Sequence, residues 1–237
     1  MLVDTTYRST DPEIMDDLEM SGDTLISTLD IIGRINRWLG GNALIISALK
    51  KVLVNHPKTE RLRIIDLGCG NGEQLREIAK YGRKHNFIFD LIGVDANKAT
   101  INYAIHLSEG YPEISYSQED VLSSEFAQRK YDIALFTLFL HHFTDEEALE
   151  LVQSTLAKSS KAIIVNDLHR HPVAYYLFKL LTLVINNKMV VADGLTSILR
   201  GFKRADLERF AAKINHTSSI NWKWAFRYEW IILRNER

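Results

Sequence analysis

The chain has very little cysteine: one residue, Cys69, in 237. It can form neither an internal disulfide nor a thiolate zinc cluster, and this usage fits a reducing compartment. Proline is also scarce, at four residues. Neither sign of charge is in excess, since 29 Lys and Arg stand against 30 Asp and Glu. That balance argues against a dedicated nucleic-acid binder. No charge-free apolar run reaches the ~20 residues of a membrane span, and the longest, from Val173 to Ile185, is broken by Lys179. The opening Met1-Leu-Val-Asp-Thr-Thr-Tyr-Arg lacks a basic start followed by an apolar core, so no signal peptide is expected and a cytoplasmic location is. Internal repeats and low-complexity stretches are absent. What is present is a composition 46% apolar and 25% charged, that of an ordinary globular protein.

Three regions differ in pattern. Residues 1–60 read as helical. Asp11-Pro12-Glu13 has the form of a helix start, with a capping carboxylate, a proline and a second acid. Leu25, Leu29, Ile32 and Ile35 recur at helical steps, and Gly40-Gly41 separates that helix from a third running to about Val54. Residues 61–168 alternate in type. Short continuous apolar runs at 62–67, 88–94, 114–116, 131–137 and 161–166 suit strands covered on both faces. Helices fit between them, the last opened by the capping box Thr144-x-x-Glu147. Alternation of this kind predicts a doubly wound, mostly parallel α/β sheet. After 168, an apolar helix is expected at 172–186, then a polar loop, a helix near 203–213, and an antiparallel hairpin from the aromatic-rich tail Ile220–Leu233. The expected organisation is an N-terminal helical lid (1–60) and a main domain (61–237), with 169–213 as a helical insertion over the site.

Chemistry shows first in Ile64-Ile65-Asp66-Leu67-Gly68-Cys69-Gly70-Asn71-Gly72-Glu73. This is a strand, an acid, a glycine-rich turn and a helix start, a form that lets backbone approach a ligand closely. A dinucleotide site would read G-x-G-x-x-G and seat a pyrophosphate at the helix N-terminus. Here the pattern is G-x-G-x-G, an acid precedes it, and Glu73 holds the helix start. A cofactor with an amine and no phosphate is the better match. Asp95 ends the next strand, where an acid can accept from ribose hydroxyls. Asp120-Val121 follow the third strand, where the carboxylate could accept from an adenine amino group.

These segments, together with Tyr131-Asp132-Ile133-Ala134 and Leu140-His141-His142-Phe143, resemble the class I S-adenosylmethionine-dependent methyltransferases of small-molecule type. The likeness covers about residues 60–168. It implies a seven-stranded Rossmann-like methyltransferase fold and S-adenosylmethionine as cofactor, with S-adenosylhomocysteine as product. It further implies that Asp66, Gly68, Gly70 and Gly72 surround the methionine moiety. Asp95 would hold the ribose, Asp120 and Val121 the adenine, and Thr137 would lie near the sulfonium.

Departures from other methyltransferases narrow the acceptor. Thr137-Leu138-Phe139-Leu140 stands where amino-methylating enzymes carry an Asn/Asp-Pro-Pro-aromatic run, and Cys69 lies inside the cofactor loop rather than at a nucleophile position. The apolar helix at 172–186 reads as a lid over an aromatic or lipid-like acceptor, and Ile35-Asn36-Arg37-Trp38-Leu39-Gly40-Gly41 resembles methyltransferases that accompany aromatic polyketide pathways, which implies a small apolar or phenolic acceptor methylated most readily at oxygen. Carbon methylation of a quinone precursor and a non-catalytic scaffold are the alternatives. Oxygen transfer needs a base. The candidates are His141, His142, His169 and His171, with His169 favoured. Arg170 is read as a ligand for a phenolate or acidic oxygen, or as a partner of Asp167. No metal is expected, and a homodimer through the apolar 172–186 helix is a candidate assembly.

Overall fold

The computed structural model describes residues 3–123 and 126–235. A one-turn 3-10 helix at Ile14–Asp16 precedes helices α1 (Asp23–Trp38) and α2 (Gly41–Val52). Strand β1 (Arg61–Leu67) then opens the alternating part: α3 (Glu73–His85), β2 (Ile88–Asp95), α4 (Lys98–Leu107), β3 (Ile114–Gln118), β4 (Tyr131–Thr137), α5 (Asp145–Lys158) and β5 (Ser159–Leu168). The chain ends with α6 (Pro172–Leu181), α7 (Lys188–Arg200), α8 (Arg204–Ala212), β6 (Thr217–Lys223) and β7 (Arg227–Leu233).

The seven strands form one sheet in the order β3-β2-β1-β4-β5-β7-β6. The first five pair in parallel, and β7 runs antiparallel between β5 and β6. Side chains of one strand alternate between the two faces. Thus Ile65, Leu67, Ala134 and Phe136 enter one core with α5 and α8, while Ile64, Ile133 and Leu135 enter the other under α2 and α3. Strand order reverses at β1 and β4, which opens a crevice beyond their carboxyl ends.

The five expected parallel strands and the C-terminal hairpin are present, and the Thr144–Glu147 capping box forms. Three local expectations fail. Asp11-Pro12-Glu13 starts no α-helix. Only one 3-10 turn follows, because the Asp193 carboxylate accepts from the amides of Ile14 (2.7 Å) and Met15 (3.1 Å) and anchors the turn to α7. The expected 172–186 helix ends at Leu181 and passes into a 3-10 turn, Thr182–Val184. The expected polar loop is helix α7, capped by Asn187, whose Oδ1 accepts from Val190 N at 3.0 Å. Gly194 argued against a helix by about 1 kcal/mol relative to alanine. Its purpose is packing, since a Cβ there would run into the Phe178 ring of α6.

The N-terminal helices are fastened to the sheet through polar side chains. Glu73 accepts from Asn42 Nδ2 (2.6 Å) and Arg37 Nε (2.9 Å), and Asn42 Oδ1 accepts from Asn36 Nδ2 (2.8 Å). Asn36 Oδ1 in turn accepts from Arg227 Nη1 of β7 at 2.6 Å. Among the described residues, no helix is long and apolar enough to cross a membrane.

Candidate active site

A cavity of about 1020 Å³ follows the carboxyl ends of β1, β2, β4 and β5. Pockets for one small ligand are typically about 300–1,000 Å³, so this one stands at the upper end of that range. Its two ends differ in chemistry.

One end is the glycine-rich loop. Asp66 ends the inward run of β1, and its buried Oδ1 has no hydrogen-bond partner among the described residues. Burial, reinforced by the Asp95 carboxylate, pushes its pKa well above the usual range. A carboxylate in that state is stabilised by any cation brought to it, and an α-ammonium group meets the need. Gly68 and Gly72 have left-handed φ values of 68° and 74°. A Cβ on Gly68 would strike the Phe139 ring, and one on Gly72 would strike the Tyr116 hydroxyl. Gly70 borders the cavity, and its amide donates to Asp95 Oδ2 at 3.1 Å. Asp95 Oδ1 accepts from Asn97 N at 3.0 Å, so each oxygen keeps acceptor capacity for a diol. Asp120 and Thr137 line the cavity, and Thr137 Oγ1 is buried without a partner among the described residues. Val121 packs in the hydrophobic core. The donor set therefore fits a nucleoside carrying an amino-acid tail.

The other end is built after β4. The chain turns through Leu138 at φ 54°, lays Phe139 over Gly68, and forms the turn Leu140–His142. His141 is 2% exposed. Its Nδ1 donates to Asp167 Oδ1 at 2.7 Å, and its amide donates to Asp167 Oδ2 at 3.2 Å. Burial raises the Asp167 pKa, but the His141 ring beside it outweighs this and holds the carboxyl below its ordinary value. His141 Nε2 has no hydrogen-bond partner among the described residues, and Glu13 Oε1 lies 3.6 Å away. His142 Nδ1 donates to Asp16 Oδ1 at 2.7 Å. Arg200 clamps this corner, donating to Asp16 Oδ2 (2.7 Å) and to the carbonyls of His141 (3.1 Å) and His142. Leu29 and Ile32 of α1, Phe178 and Leu181 of α6, and Ile198 of α7 add apolar lining to the cavity, with Leu29 beside Gly70.

A family model described as "Methyltransferase domain" matches residues 58–210, well over half of the chain. The chain belongs to the class I S-adenosylmethionine-dependent methyltransferases. It is 25% identical over 175 residues to the ubiquinone biosynthesis O-methyltransferase of Ruegeria pomeroyi, covering 69% of this chain and 67% of the relative. It is 28% identical over 119 residues to the protein of that name from Brucella ovis, covering 50% and 46%. Among solved structures, the plantazolicin methyltransferase BamL with a triazolic analogue and S-adenosylhomocysteine aligns with a TM-score of 0.67 at 13% identity, over 89% of this chain and 91% of the other. Magnesium protoporphyrin IX methyltransferase from Synechocystis PCC 6803 aligns with a TM-score of 0.56 at 14% identity, over 92% and 100%. At such identity these structures bear on the fold alone.

Several side chains of this methyltransferase sit differently from what their sequence positions suggested. Arg170 leaves β5 on the side opposite His169. It pairs with Asp206 at 3.1 Å and donates to the carbonyls of Thr5 (3.0 Å) and Gly201 (2.5 Å). It neither bonds to Asp167 nor lines the cavity. His171 caps α6, with Nδ1 accepting from Val173 N at 3.1 Å. His169 does line the cavity, but its Nδ1 accepts from Trp222 Nε1 at 3.1 Å. Burial, aided by the charges of His171 and Arg170, lowers its pKa to about 4. A neutral ring whose Nδ1 lone pair is engaged carries its proton on Nε2 and is a donor rather than a base. The residues missed were Glu13, Asp16 and the pairing of His141 with Asp167. Glu13 reads in the sequence as the acid after a capping Asp11 and a proline at a helix start, and nothing local joins position 13 to position 141.

His169 also has a stability consequence. The unfolded chain takes up a proton near 6.5, whereas the folded one resists it until about 4. Stability should therefore fall as pH is lowered through that window. Thermal unfolding between those pH values should show a shallower loss in His169→Gln than in the wild type.

Proposed function

We propose that this methyltransferase methylates the hydroxyl oxygen of a small, largely apolar phenol. The observation that carries the reading is the His141–Asp167 pair, with an unengaged Nε2 facing Glu13 at the end of the cavity built after β4. S-adenosylmethionine, when bound, supplies an electrophilic methyl group on sulfur. Asp66 would hold its ammonium group and Asp95 its ribose, with Asp120 at the adenine. Thr137 would lie beside the sulfur. Phe178, Leu181 and Ile198 would hold the acceptor ring, and the hydroxyl would be ionised at the Glu13–His141–His142 corner. His169, as a donor, would orient a second oxygen of the acceptor. Positioning and proton removal are the two contributions such a displacement asks of the protein.

The N-terminal segment and α6–α7 would act together as a lid over this cavity. Supporting this, Asn97 Nδ2 donates to the carbonyls of Leu18 (3.0 Å) and Met20 (2.8 Å), and Asn187 Nδ2 donates to Thr28 Oγ1 (3.1 Å). The relatives named for O-methylation in ubiquinone biosynthesis favour oxygen over carbon.

The test is transfer of isotopically labelled methyl to simple phenols and hydroquinones. The expected product is a methyl ether whose label is released by hydriodic acid. Label retained on ring carbon, or no transfer to any phenol by protein that still binds S-adenosylhomocysteine, would overturn the reading.

A further inference from the structure

Two buried groups at the end of the cavity built after β4 are left without hydrogen-bond partners among the described residues: Glu13 Oε1 and His141 Nε2. Both residues are more than nine-tenths buried, at 6% and 2% exposure. Such groups are ordinarily satisfied. They lie 3.6 Å apart, too far for a hydrogen bond between them. His142 Nδ1 lies 3.9 Å from the same Glu13 oxygen, and one donor atom from each of the three residues falls within 4.8 Å of the others. For metal bonds of about 2.0–2.2 Å, two tetrahedral ligands stand roughly 3.4 Å apart. The three donors are therefore already close to the spacing a small cation imposes.

The surroundings point the same way. The other nitrogen of His141 donates to Asp167, the carboxylate–histidine arrangement that orients metal-bound imidazole. Glu13 Oε2 accepts from Ser197 Oγ at 2.7 Å, which fixes the carboxylate with Oε1 free. Four carboxylates gather here, those of Glu13, Asp16, Asp167 and Asp193. Arg200 is the guanidinium in contact with them, bonded to Asp16, and Arg227 is the next cation near Asp167. Arg8, which reaches the carbonyls of His141 and Phe143, is paired with Asp145.

We propose that Glu13, His141 and His142 bind one divalent first-row cation, of the Mn²⁺ or Zn²⁺ class, which holds the acceptor hydroxyl in an open coordination position. Two imidazoles and one carboxylate are a ligand set such ions accept. His142 would exchange its hydrogen bond to Asp16 for the cation. Coordination lowers the pKa of a bound hydroxyl. The O–H bond breaks and its proton leaves to solvent. The oxygen lone pair then forms the O–CH₃ bond as the S–CH₃ bond breaks, and sulfur keeps that electron pair. The proposal rests on the reading of this corner as the place where the hydroxyl is ionised, and it changes His141 from the base to a ligand.

The experiment uses the full chain stripped with a chelator. Zn²⁺ is titrated by calorimetry and Mn²⁺ by electron paramagnetic resonance, each beside a titration with S-adenosylhomocysteine as a control of the fold. The expected result is about one bound cation per chain, with affinity reduced about 10–100-fold or more in Glu13→Gln and in His142→Ala, while S-adenosylhomocysteine binds all forms alike. Absence of stoichiometric cation binding in protein that binds S-adenosylhomocysteine would overturn the cation. If that stripped protein also methylates phenols, O-methylation stands and His141 is the base. Cation binding with no phenol methylated would sustain the site and remove the phenol.

Discussion

His141→Gln is expected to lower kcat for phenol methylation by roughly 10²–10⁴-fold, the span typical of losing a positioned acid–base group. Binding of S-adenosylhomocysteine should be unchanged. The separation follows from the architecture. His141 stands on the turn after β4 and faces Glu13, whereas Asp66, Gly70 and Asp95 form the other end of the cavity from β1, its loop and β2. Glutamine has similar reach and can still donate to Asp167, so the buried carboxylate keeps a partner and the fold is retained. It cannot accept a proton at neutral pH, nor replace imidazole as a strong metal ligand. Single-turnover rates measured with saturating cofactor isolate the chemical step. A variant with full turnover would remove His141 from the reaction and return the role of base to His142 or to solvent.

Asp66→Asn should move stability and binding in opposite directions. In the folded protein the Asp66 carboxyl is buried, unpartnered at Oδ1 among the described residues, and beside Asp95. Its pKa is raised, so at neutral pH the ionised folded state is disfavoured relative to the unfolded chain, and this cost grows as pH rises above the unfolded value. Asparagine removes the charge at nearly constant shape. The ligand-free protein should melt at a higher temperature. Binding of S-adenosylhomocysteine should weaken by about 30-fold or more, since loss of one partner from a buried charge pair costs about 2–5 kcal/mol. The wild type should also bind this ligand more tightly as pH rises through the raised Asp66 pKa, and the variant should lose that dependence. Calorimetric titration at several pH values, beside unfolding curves, reads all three. Unchanged affinity in Asp66→Asn would place the ligand's ammonium elsewhere.

Burying an uncompensated carboxylate is a cost that core packing does not explain. Asp66 lies between Ile65 and Leu67, both fully buried, at a position where an apolar residue would serve the sheet as well. Its retention there is what a ligand cation would account for. The same holds at the other end of the cavity, where Glu13 and His141 are buried and only partly satisfied. Incomplete satisfaction is not confined to the cavity, since Glu229 Oε2 and Trp230 Nε1 also lack partners among the described residues, whereas Arg170 is tied off by Asp206 and backbone carbonyls.

The amino-acid sequence by itself determined the parallel strands, the glycine-rich end of the cavity and the C-terminal hairpin. Each is local: continuous apolar runs covered on both faces, glycines demanded by a tight turn, an acid at a strand's end. Gly68, Gly72, Asp66 and Asp95 stand within or beside the elements that position them, so residue type and spacing were enough. Tertiary structure decided the end built after β4. Glu13 meets His141 from 128 positions earlier in the sequence, Asp167 rather than Arg170 turns toward His141, and Gly194 lets Phe178 of α6 pack close against α7. Those outcomes depend on which face of the sheet each strand end presents and on what packs above it. Long-range packing, unlike periodicity, leaves no pattern in neighbouring residues, and that is why the sequence pointed to His169, whose Nδ1 accepts from Trp222, and not to His141, which the fold sets between Asp167 and Glu13.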